Sequence, residues 1–257
     1  MTELDIVEIE RIEEETPTIK TIFFDWGGST EPGQFVMVWI PGVDEIPMAI
    51  SKEKLDFITV KKRGEATKKL HKMEPGDKLG IRGPYGEGYD IEGDKMMIVT
   101  GGCGGASLME AVRSAAEKGI EMIICLGAET EEELLFRDRY SEMAELRVAT
   151  DDGTAGHHGF VTEITEEVVE KEEIDSVLTC GPEIMMRKVV DMCVEREIPI
   201  QASLERYMKC GIGLCDSCTI DGKQVCIDGP VFKGGELKEM DEFGEFERTK
   251  EGLLVRL

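Results

Sequence analysis

The pattern of apolar and polar positions changes character near residue 93. Before that point, short runs rich in β-branched and aromatic residues alternate with turn signals such as Pro75-Gly76-Asp77. Many short strands joined by Gly/Pro turns are typical of a small antiparallel barrel. The predicted strands of this part span residues 4–12, 19–24, 34–40 and 55–60.

After residue 93, five short apolar runs recur and helical stretches lie between most of them. Strands that alternate with helices predict a parallel, doubly wound sheet, whose ligands bind beyond the carboxyl ends of the strands. The predicted helices run over 106–118, from a capping-box pattern at 130–133, and from Pro182 to about residue 197. The predicted strands span 96–100, 122–126, 146–150, 177–180 and 199–203.

The charge of the chain excludes some classes of partner. Its 257 residues include 54 acidic and 30 basic side chains, which gives a formal net charge of −24. Such a chain repels a phosphate backbone, so we expect no nucleic-acid partner. No apolar run approaches the ~20 residues that span a bilayer, so we expect no membrane partner. The N-terminal segment is acidic and lacks the order of a secretory signal, which predicts a cytoplasmic protein.

Half of the eight cysteines fall within seventeen residues, in the pattern C-x4-C-x2-C-x7-C. This spacing is typical of plant-type [2Fe–2S] sites. Gly211 and Gly213 lie inside the first loop and allow the backbone to wrap closely, so that N–H groups can point at the sulfur atoms. The predicted ligands of the cluster are Cys210, Cys215, Cys218 and Cys226.

Two other uses of these cysteines compete with the cluster. A structural Cys₄ zinc site favours two short C-x₂₋₄-C pairs separated by a longer stretch, and only one such short pair is present here. Disulfides are rare in cytoplasmic proteins.

A glycine-rich turn follows the strand predicted at 96–100 and opens a helix. Gly101, Gly102 and Gly104 would let a pyrophosphate approach the helix N-terminus. A tight strand–helix turn that binds no nucleotide could have the same glycine pattern. At the end of a later strand, Cys180-Gly181-Pro182 could place a small polarizable side chain against a nicotinamide ring, and Pro182 also suits a helix start.

The loop at 126–133 carries four glutamates and no basic residue. Glu129 could accept hydrogen bonds from the ribose hydroxyls of NAD and would repel the extra phosphate of NADP. The other glutamates could equally favour a helix N-terminus through its dipole, and Arg137 and Arg139 could reach back to the loop. The sequence therefore predicts NAD as the nucleotide.

Four segments together resemble one known family. Residues 76–79 (Gly-Asp-Lys-Leu) and 83–86 (Gly-Pro-Tyr-Gly) are similar to the domain junction of the ferredoxin–NADP reductase superfamily. Residues 205–218 and 225–232, which contain the cysteines, resemble the electron-transfer subunits of dihydroorotate dehydrogenase B within it. The resemblance covers nearly the whole chain.

The resemblance implies an FAD held by the barrel, but the chain departs from the usual flavin motifs. The Arg-Pro-x-Ser motif reads Ile46-Pro47-Met48-Ala49, and the Gly-Thr pair reads Ala66-Thr67. Lys61, Lys62 or Arg63 would have to supply the missing cation. The implied FAD-binding residues are Pro47, Met48, Ala49, Thr59, Val60, Lys61, Gly64, Ala66 and Thr67.

The resemblance also implies a function in pyrimidine synthesis. Dihydroorotate would be oxidised on a separate FMN-containing catalytic subunit, with two copies of each chain in a heterotetramer. Electrons would pass through the [2Fe–2S] cluster to FAD and then, as hydride, to NAD⁺, with Cys180 near the nicotinamide. The alternatives are a reductase subunit of a sulfhydrogenase or of a ferredoxin-dependent transhydrogenase, and a non-enzymatic zinc-binding regulatory module.

The resulting expectation is a β-barrel plus α/β fold in three parts. Residues 1–92 form an antiparallel flavin-binding barrel. Residues 93–203 form an NAD-binding domain with a five-stranded parallel sheet. Residues 204–257 form a small [2Fe–2S] cluster domain and a tail.

Overall fold

An antiparallel barrel of seven strands occupies the N-terminal part of the computed structural model, which describes residues 3–257. Its strand order is β4-β3-β7-β1-β2-β6-β5, and a short helix, α1 (Glu65–Leu70), precedes the last strand in the chain. The strands are β1 (Asp5–Thr16), β2 (Ile19–Phe24), β3 (Phe35–Ile40), β4 (Asp44–Ala49), β5 (Ser51–Lys52), β6 (Asp56–Lys61) and β7 (Lys78–Tyr85).

Alternation along the barrel strands decides which side chains enter the core. In β1, Val7 and Ile9 are buried while Glu8 and Glu10 are exposed, as a strand with one core face requires. Ile22 and Ile58, which are paired across β2 and β6, are completely buried in the same cluster of apolar side chains. The predicted antiparallel barrel is confirmed, with β4, β5 and β7 added to the predicted strands.

A second sheet follows, and its first six strands are all parallel to their neighbours, in the order β11-β10-β9-β8-β12-β13. Five of them coincide with the predicted strands, and the two-residue strand β11 extends one edge. The strands are β8 (Lys95–Gly101), β9 (Glu121–Ala128), β10 (Glu145–Thr150), β11 (His157–His158), β12 (Ser176–Cys180) and β13 (Ile200–Ser203). The helices are α2 (Gly104–Glu117), α3 (Arg137–Ser141), α4 (Val161–Lys171) and α5 (Glu183–Glu195).

The prediction that a helix begins at the capping-box pattern is wrong. Residues Glu131–Glu133 form only a single 3₁₀ turn, and the side chain of Thr130 makes no capping hydrogen bond. The N–H of Glu131 instead donates to Oγ1 of Thr154, 2.9 Å away in the loop after β10. Phe136 then adopts a left-handed conformation, with φ of 59°, so α3 begins separately. A tertiary contact has taken the place of the local cap.

The cysteine-containing region is built partly into the parallel sheet. The strand β16 pairs antiparallel with β13 and so completes a seven-stranded sheet. The helix α7 packs on α5. The elements of this region are β14 (Thr219–Ile220), β15 (Lys223–Gln224), α6 (Val225–Asp228), β16 (Val231–Lys233), α7 (Gly234–Lys238), β17 (Phe246–Arg248) and β18 (Leu254–Arg256).

One apolar core joins all three parts of the fold. It contains Val190 from α5, Phe232 from β16, Cys226 from the cysteine region and Met37 from the barrel, all essentially buried. None of the helices within residues 3–257 has the length and apolar character that crossing a bilayer requires.

Candidate functional site

The cysteine loop points backbone donors at sulfur. Gly211 and Gly213 have φ of +68° and +71°, conformations that favour glycine, and they turn the chain around the sulfur atoms. Sγ of Cys210 accepts hydrogen bonds from the N–H groups of Ile212 and Leu214, at 3.5 and 3.3 Å. Sγ of Cys226 accepts one from Gly213, at 3.3 Å. The predicted N–H···S contacts are therefore present.

The four sulfur atoms interact in two pairs. Partial burial acts to raise the pKa of the Cys215 thiol, but hydrogen bonds from Ser217 and Cys210 outweigh it and lower that pKa to about 6. Burial, followed by the hydrogen bond with Cys218, raises the pKa of Cys226 to about 12. Cys215 is exposed, whereas Cys218 and Cys226 are buried. A binuclear cluster with two thiolate ligands on each iron needs two such pairs.

Close packing of the loop on its neighbours requires glycine at position 213. A Cβ on Gly213 would lie 2.7 Å from Cγ1 of Ile227 and 2.9 Å from the side-chain oxygen of Gln224. No three His, Cys, Asp or Glu side chains among residues 3–257 are grouped so that they could hold a single metal ion. The donor set and the N–H groups around it fit a [2Fe–2S] cluster, whose iron–sulfur chemistry moves one electron at a time.

A cleft lies between the barrel and the segment that leads to the cysteines; we call it the barrel cleft. Six of the nine residues predicted to hold FAD line it: Pro47, Met48, Ala49, Thr59, Lys61 and Thr67. The sequence interpretation missed the wall contributed by distant segments. These additional residues include Gly33, Phe35, Cys103, Ser107, Ser203, Leu204, Glu205, Arg206, Met208 and Pro230. Arg63, named only as a possible cation, is also part of the wall.

Three predicted flavin residues do not line the barrel cleft. The side chain of Val60 is completely buried in the barrel core. Gly64 and Ala66 lie at the start of α1. The neighbouring Thr67 lines the cleft, but its hydroxyl accepts the N–H of Arg63 at 2.9 Å and donates to the carbonyl of Gly64 at 3.3 Å. That hydroxyl therefore fixes the entry into α1, and Lys61 and Arg63 are the basic side chains that the barrel supplies to the cleft.

A second cleft, the nucleotide cleft, opens at the carboxyl ends of the parallel strands. Gly101, Gly102, Glu129 and Pro182, all predicted to bind NAD, line it. Partial burial, and then the charges of Glu129 and Asp152, raise the pKa of Asp151 on the same wall. Other residues in the loops directly after the predicted strands also line it: Gly127, Ala128, Glu133 and Asp151. The residues missed by the sequence interpretation are Phe160, Val161, Thr162, Ile184, Met185 and Lys188.

Lys61 and Arg63 line both clefts. They follow one another closely at the end of β6, and Arg63 is exposed. Two cations at the boundary of two clefts could bind the diphosphates of two dinucleotides, because a diphosphate is held through charge-assisted hydrogen bonds. No local motif identifies this boundary, since it depends on how the barrel meets the parallel sheet.

Cys180 is the last residue of β12 and lines neither cleft. Its side chain is 1% exposed, and burial, followed by the charge of Glu205, raises the pKa of its thiol strongly. The thiol hydrogen-bonds with Ser107 and Ser203, both of which line the barrel cleft. Cys180 therefore stays a neutral thiol just behind the wall. The predicted Gly181 also lies outside the lining of the nucleotide cleft.

Gly104, predicted to cradle a phosphate, serves a packing role. A Cβ at this position would lie 2.2 Å from the carbonyl oxygen of Cys180. The glycine lets the N-terminus of α2 approach the end of β12, which brings the two strand ends together.

The barrel, the parallel sheet with its nucleotide cleft and the four-cysteine loop define an NAD-linked iron–sulfur oxidoreductase with the ferredoxin–NADP reductase fold. Residues 98–191 match the family model described as "Oxidoreductase NAD-binding domain". Residues 205–238 match "Iron-sulfur cluster binding domain of dihydroorotate dehydrogenase B".

Curated relatives are named after the same enzyme as the second family model. The protein of Methanocaldococcus jannaschii is 47% identical over 96% of both chains, and that of Methanocella arvoryzae is 46% identical over 95% of both. The protein of Thermoplasma volcanium is 42% identical over 98% of both. Each is described as "Probable dihydroorotate dehydrogenase B (NAD(+)), electron transfer subunit". The chain belongs to the family of electron-transfer subunits of dihydroorotate dehydrogenase B.

Solved structures agree on the fold. An NADH-dependent reduced ferredoxin–NADP oxidoreductase, studied for flavin-based electron bifurcation, superposes with a TM-score of 0.83 at 29% identity, covering 94% of this chain and 91% of that one. The Amycolatopsis cytochrome P450 reductase GcoB superposes with a TM-score of 0.67 at 20% identity, covering 77% and 68%.

Family membership confirms the predicted class and cofactors. The chain is an NAD-linked electron-transfer subunit that acts with a separate catalytic subunit, and the family's cofactors are [2Fe–2S], FAD and NAD. The alternative of a transhydrogenase subunit is less well supported, because its representative shares 29% of residues against 40–47% for the dihydroorotate dehydrogenase relatives.

Proposed function

We propose that this chain carries electrons from dihydroorotate oxidation to NAD⁺ through three adjoining sites. In the proposed order, electrons pass from the cluster to the flavin in the barrel cleft and then to the nucleotide. One observation supports this order most directly: the barrel cleft adjoins both other sites. It shares Lys61 and Arg63 with the nucleotide cleft, and its wall includes Met208, two residues before Cys210. FAD, when bound, supplies the exchange between one-electron and two-electron transfer.

In this proposal the four cysteines hold the cluster and the barrel cleft holds the flavin. Lys61 and Arg63 bind diphosphate oxygens in place of the arginine that the family motif usually supplies. Glu129 holds the ribose of the nucleotide. Cys180 supports the wall against which the nicotinamide packs, as a buried neutral thiol.

The partner in the proposal is a catalytic subunit that contains FMN, in an assembly with two copies of each chain. The location in the proposal is the cytoplasm. The three parts, 1–92, 93–203 and 204–257, correspond to flavin, nucleotide and cluster binding.

Anaerobic purification of the chain, followed by spectroscopy and cofactor analysis, tests the cofactor assignment. We expect a coloured protein with about two iron atoms, about two sulfides and about one FAD per chain, as a [2Fe–2S] flavoprotein requires. A colourless protein with bound zinc and no flavin would reject the proposal in favour of a zinc-binding module.

Reconstitution tests the partner. The isolated chain should not oxidise dihydroorotate, and NAD⁺ reduction should begin when a dihydroorotate dehydrogenase catalytic subunit is added. Mass photometry of the mixture should give the mass of two copies of each chain. Turnover of dihydroorotate by the single chain would refute the two-subunit assignment.

A further inference from the structure

The cysteine loop rests directly on two strands of the barrel. Gly211 packs against Met37 of β3 so closely that a Cβ on the glycine would lie 2.9 Å from Cγ of the methionine. Met37 is itself completely buried, and it is paired with Arg82 of β7 across the barrel sheet. The barrel therefore forms the platform for the Cys210 end of the loop.

Arg82 makes the polar contact between that platform and the loop. Its Nη2 donates to the carbonyl oxygen of Cys210 at 3.0 Å. Its Nε and Nη2 also bind both carboxylate oxygens of Glu45, at 3.0 and 2.8 Å, and its Nη1 donates to the hydroxyl of Tyr85 at 2.8 Å. The side chain of Arg82 is 18% exposed. Three partners thus hold the planar guanidinium in one orientation.

The ion pair of Arg82 and Glu45 is oriented with its cation towards the cysteine loop. The same nitrogen of Arg82 bonds both Glu45 and Cys210, so the cation lies between the carboxylate and the cysteine. The positive end of the pair therefore faces the cluster loop. A fixed positive charge stabilises the extra negative charge that reduction adds, and so raises a reduction potential.

The contact between Arg82 and Tyr85 also lies close to the barrel cleft. The ring of Tyr85 lies 5.8 Å from that of Phe35, and Phe35 lines the barrel cleft. A residue that fixes the Cys210 end of the loop on β7 also fixes its position relative to this cleft.

We propose that Arg82 is a positioning residue of the electron-transfer site: it holds the Cys210 end of the cluster loop on the barrel, with its cation towards the loop, and thereby raises the reduction potential of the cluster. This inference rests on the proposed function, in which the four cysteines are the cluster ligands. It adds a residue that lies outside the cysteine motif and outside both clefts.

The test is an EPR-monitored redox titration of the cluster in the full-length flavin-containing chain. Arg82→Gln removes the cation and leaves Glu45 uncompensated, so the cluster should become harder to reduce. At a fixed ambient potential, the ratio of reduced to oxidised cluster should fall about tenfold, which for one electron corresponds to about 59 mV.

Glu45→Gln should act in the opposite direction. It keeps Arg82 in place and removes the balancing carboxylate, so the reduced fraction should rise at the same ambient potential. A purely structural role predicts no such opposition of sign. Equal shifts in both variants, or none in either, would overturn the proposal.

Arg147→Gln is the matched control, because the partly buried Arg147 also pairs with a glutamate, the exposed Glu145, at 2.8 Å. It lies on β10, far along the parallel sheet from β16. Its removal should leave the cluster potential unchanged.

Arg82→Lys separates charge from geometry. This variant keeps the positive charge but loses the three-partner geometry, so the reduction potential of the cluster should change less than in Arg82→Gln.

Limited trypsin digestion of Arg82→Gln and Arg82→Lys supplies a second readout. Cleavage after the exposed Lys209, next to Cys210, should become at least about threefold faster in both variants because the loop opens more often. Unchanged cleavage in both would contradict the positioning role.

These outcomes separate the inference from the proposed function. A wild-type chain without a [2Fe–2S] signal would refute the ligand assignment. A wild-type chain with the signal, whose variants show unchanged potentials, would refute only the role of Arg82.

Discussion

Arg206 and Glu183 form a bidentate ion pair that is nearly closed to solvent, with side-chain exposures of 3% and 10%. Arg206 lies four residues before Cys210, and Glu183 is the first residue of α5. The N–H of Gly244 also donates to Glu183, at 2.9 Å. The pair thus joins the start of the cysteine segment to the helix at the nucleotide cleft.

Removing the charge of Glu183 should be strongly destabilising. Glu183→Gln leaves Arg206 buried without a counter-ion, which typically costs about 3–5 kcal/mol of the free energy of unfolding. Urea denaturation followed by circular dichroism measures this loss. The control is Glu245→Gln, which breaks the pair with Arg256, a side chain that is 76% exposed, and should cost no more than about 1 kcal/mol. Similar losses in the two variants would show that burial of the first pair has no energetic consequence.

Replacement of Arg63 should weaken flavin binding. Arg63→Gln removes a cation that lines the barrel cleft, and a hydrogen bond to a charged group contributes about 1.5–3 kcal/mol, so the Kd for FAD should rise about 10- to 100-fold. Fluorescence titration of the flavin-free chain measures this. Lys62→Gln is the matched control, because Lys62 is an exposed neighbour that lines neither cleft. Equal effects of both substitutions would mean that only general positive charge matters.

Glu129 should determine the choice between NADH and NADPH. Glu129 lies on the nucleotide cleft beside Asp151, where a second phosphate would meet two carboxylates. We expect the wild type to have the higher kcat/KM with NADH. Glu129→Arg should shift the ratio towards NADPH about tenfold, since an arginine can pair with the 2′-phosphate. Steady-state kinetics with both nucleotides decide the matter; a wild-type preference for NADPH would contradict the assignment.

Loss of a cluster ligand should separate two activities. Cys215→Ser or Cys218→Ser should remove the cluster while NADH still reduces artificial dyes through the flavin, because the nucleotide and barrel clefts remain adjacent. Iron analysis and EPR follow the cluster, and dye reduction follows the flavin. Cys125→Ala, a change in buried β9, serves as control and should retain the iron. If dye reduction vanished while FAD stayed bound, the proposed order of sites would be wrong.

Much of the fold could be predicted because its signals are local. The strands β8, β9 and β12 are largely apolar runs, as strands buried on both faces of a parallel sheet require. Glycines at or next to their carboxyl ends mark where they stop. The cysteine loop could likewise be predicted, since three of its four ligands and both glycines lie within nine residues of each other.

The elements that were missed depend on partners elsewhere in the chain. β4 contains Pro47 and is only half-buried, so its sequence has little strand character; pairing with β3 makes it a strand. β16 has three residues, and only its ladder with β13 defines it. The clefts show the same limit, because Arg206 and Phe160 line walls assembled from segments that are distant in sequence.

The strand β16 also bears on how this chain could be divided or fused. It follows the cysteine loop, yet it supplies the last strand of the nucleotide-binding sheet through the pairs of β13 with residues 231–233. A gene fragment that stopped at residue 203 would expose β13 as an unpaired edge, and open edges recruit foreign strands. Exchange of redox modules, in an engineered fusion or during evolution, should therefore move the nucleotide and cluster regions together.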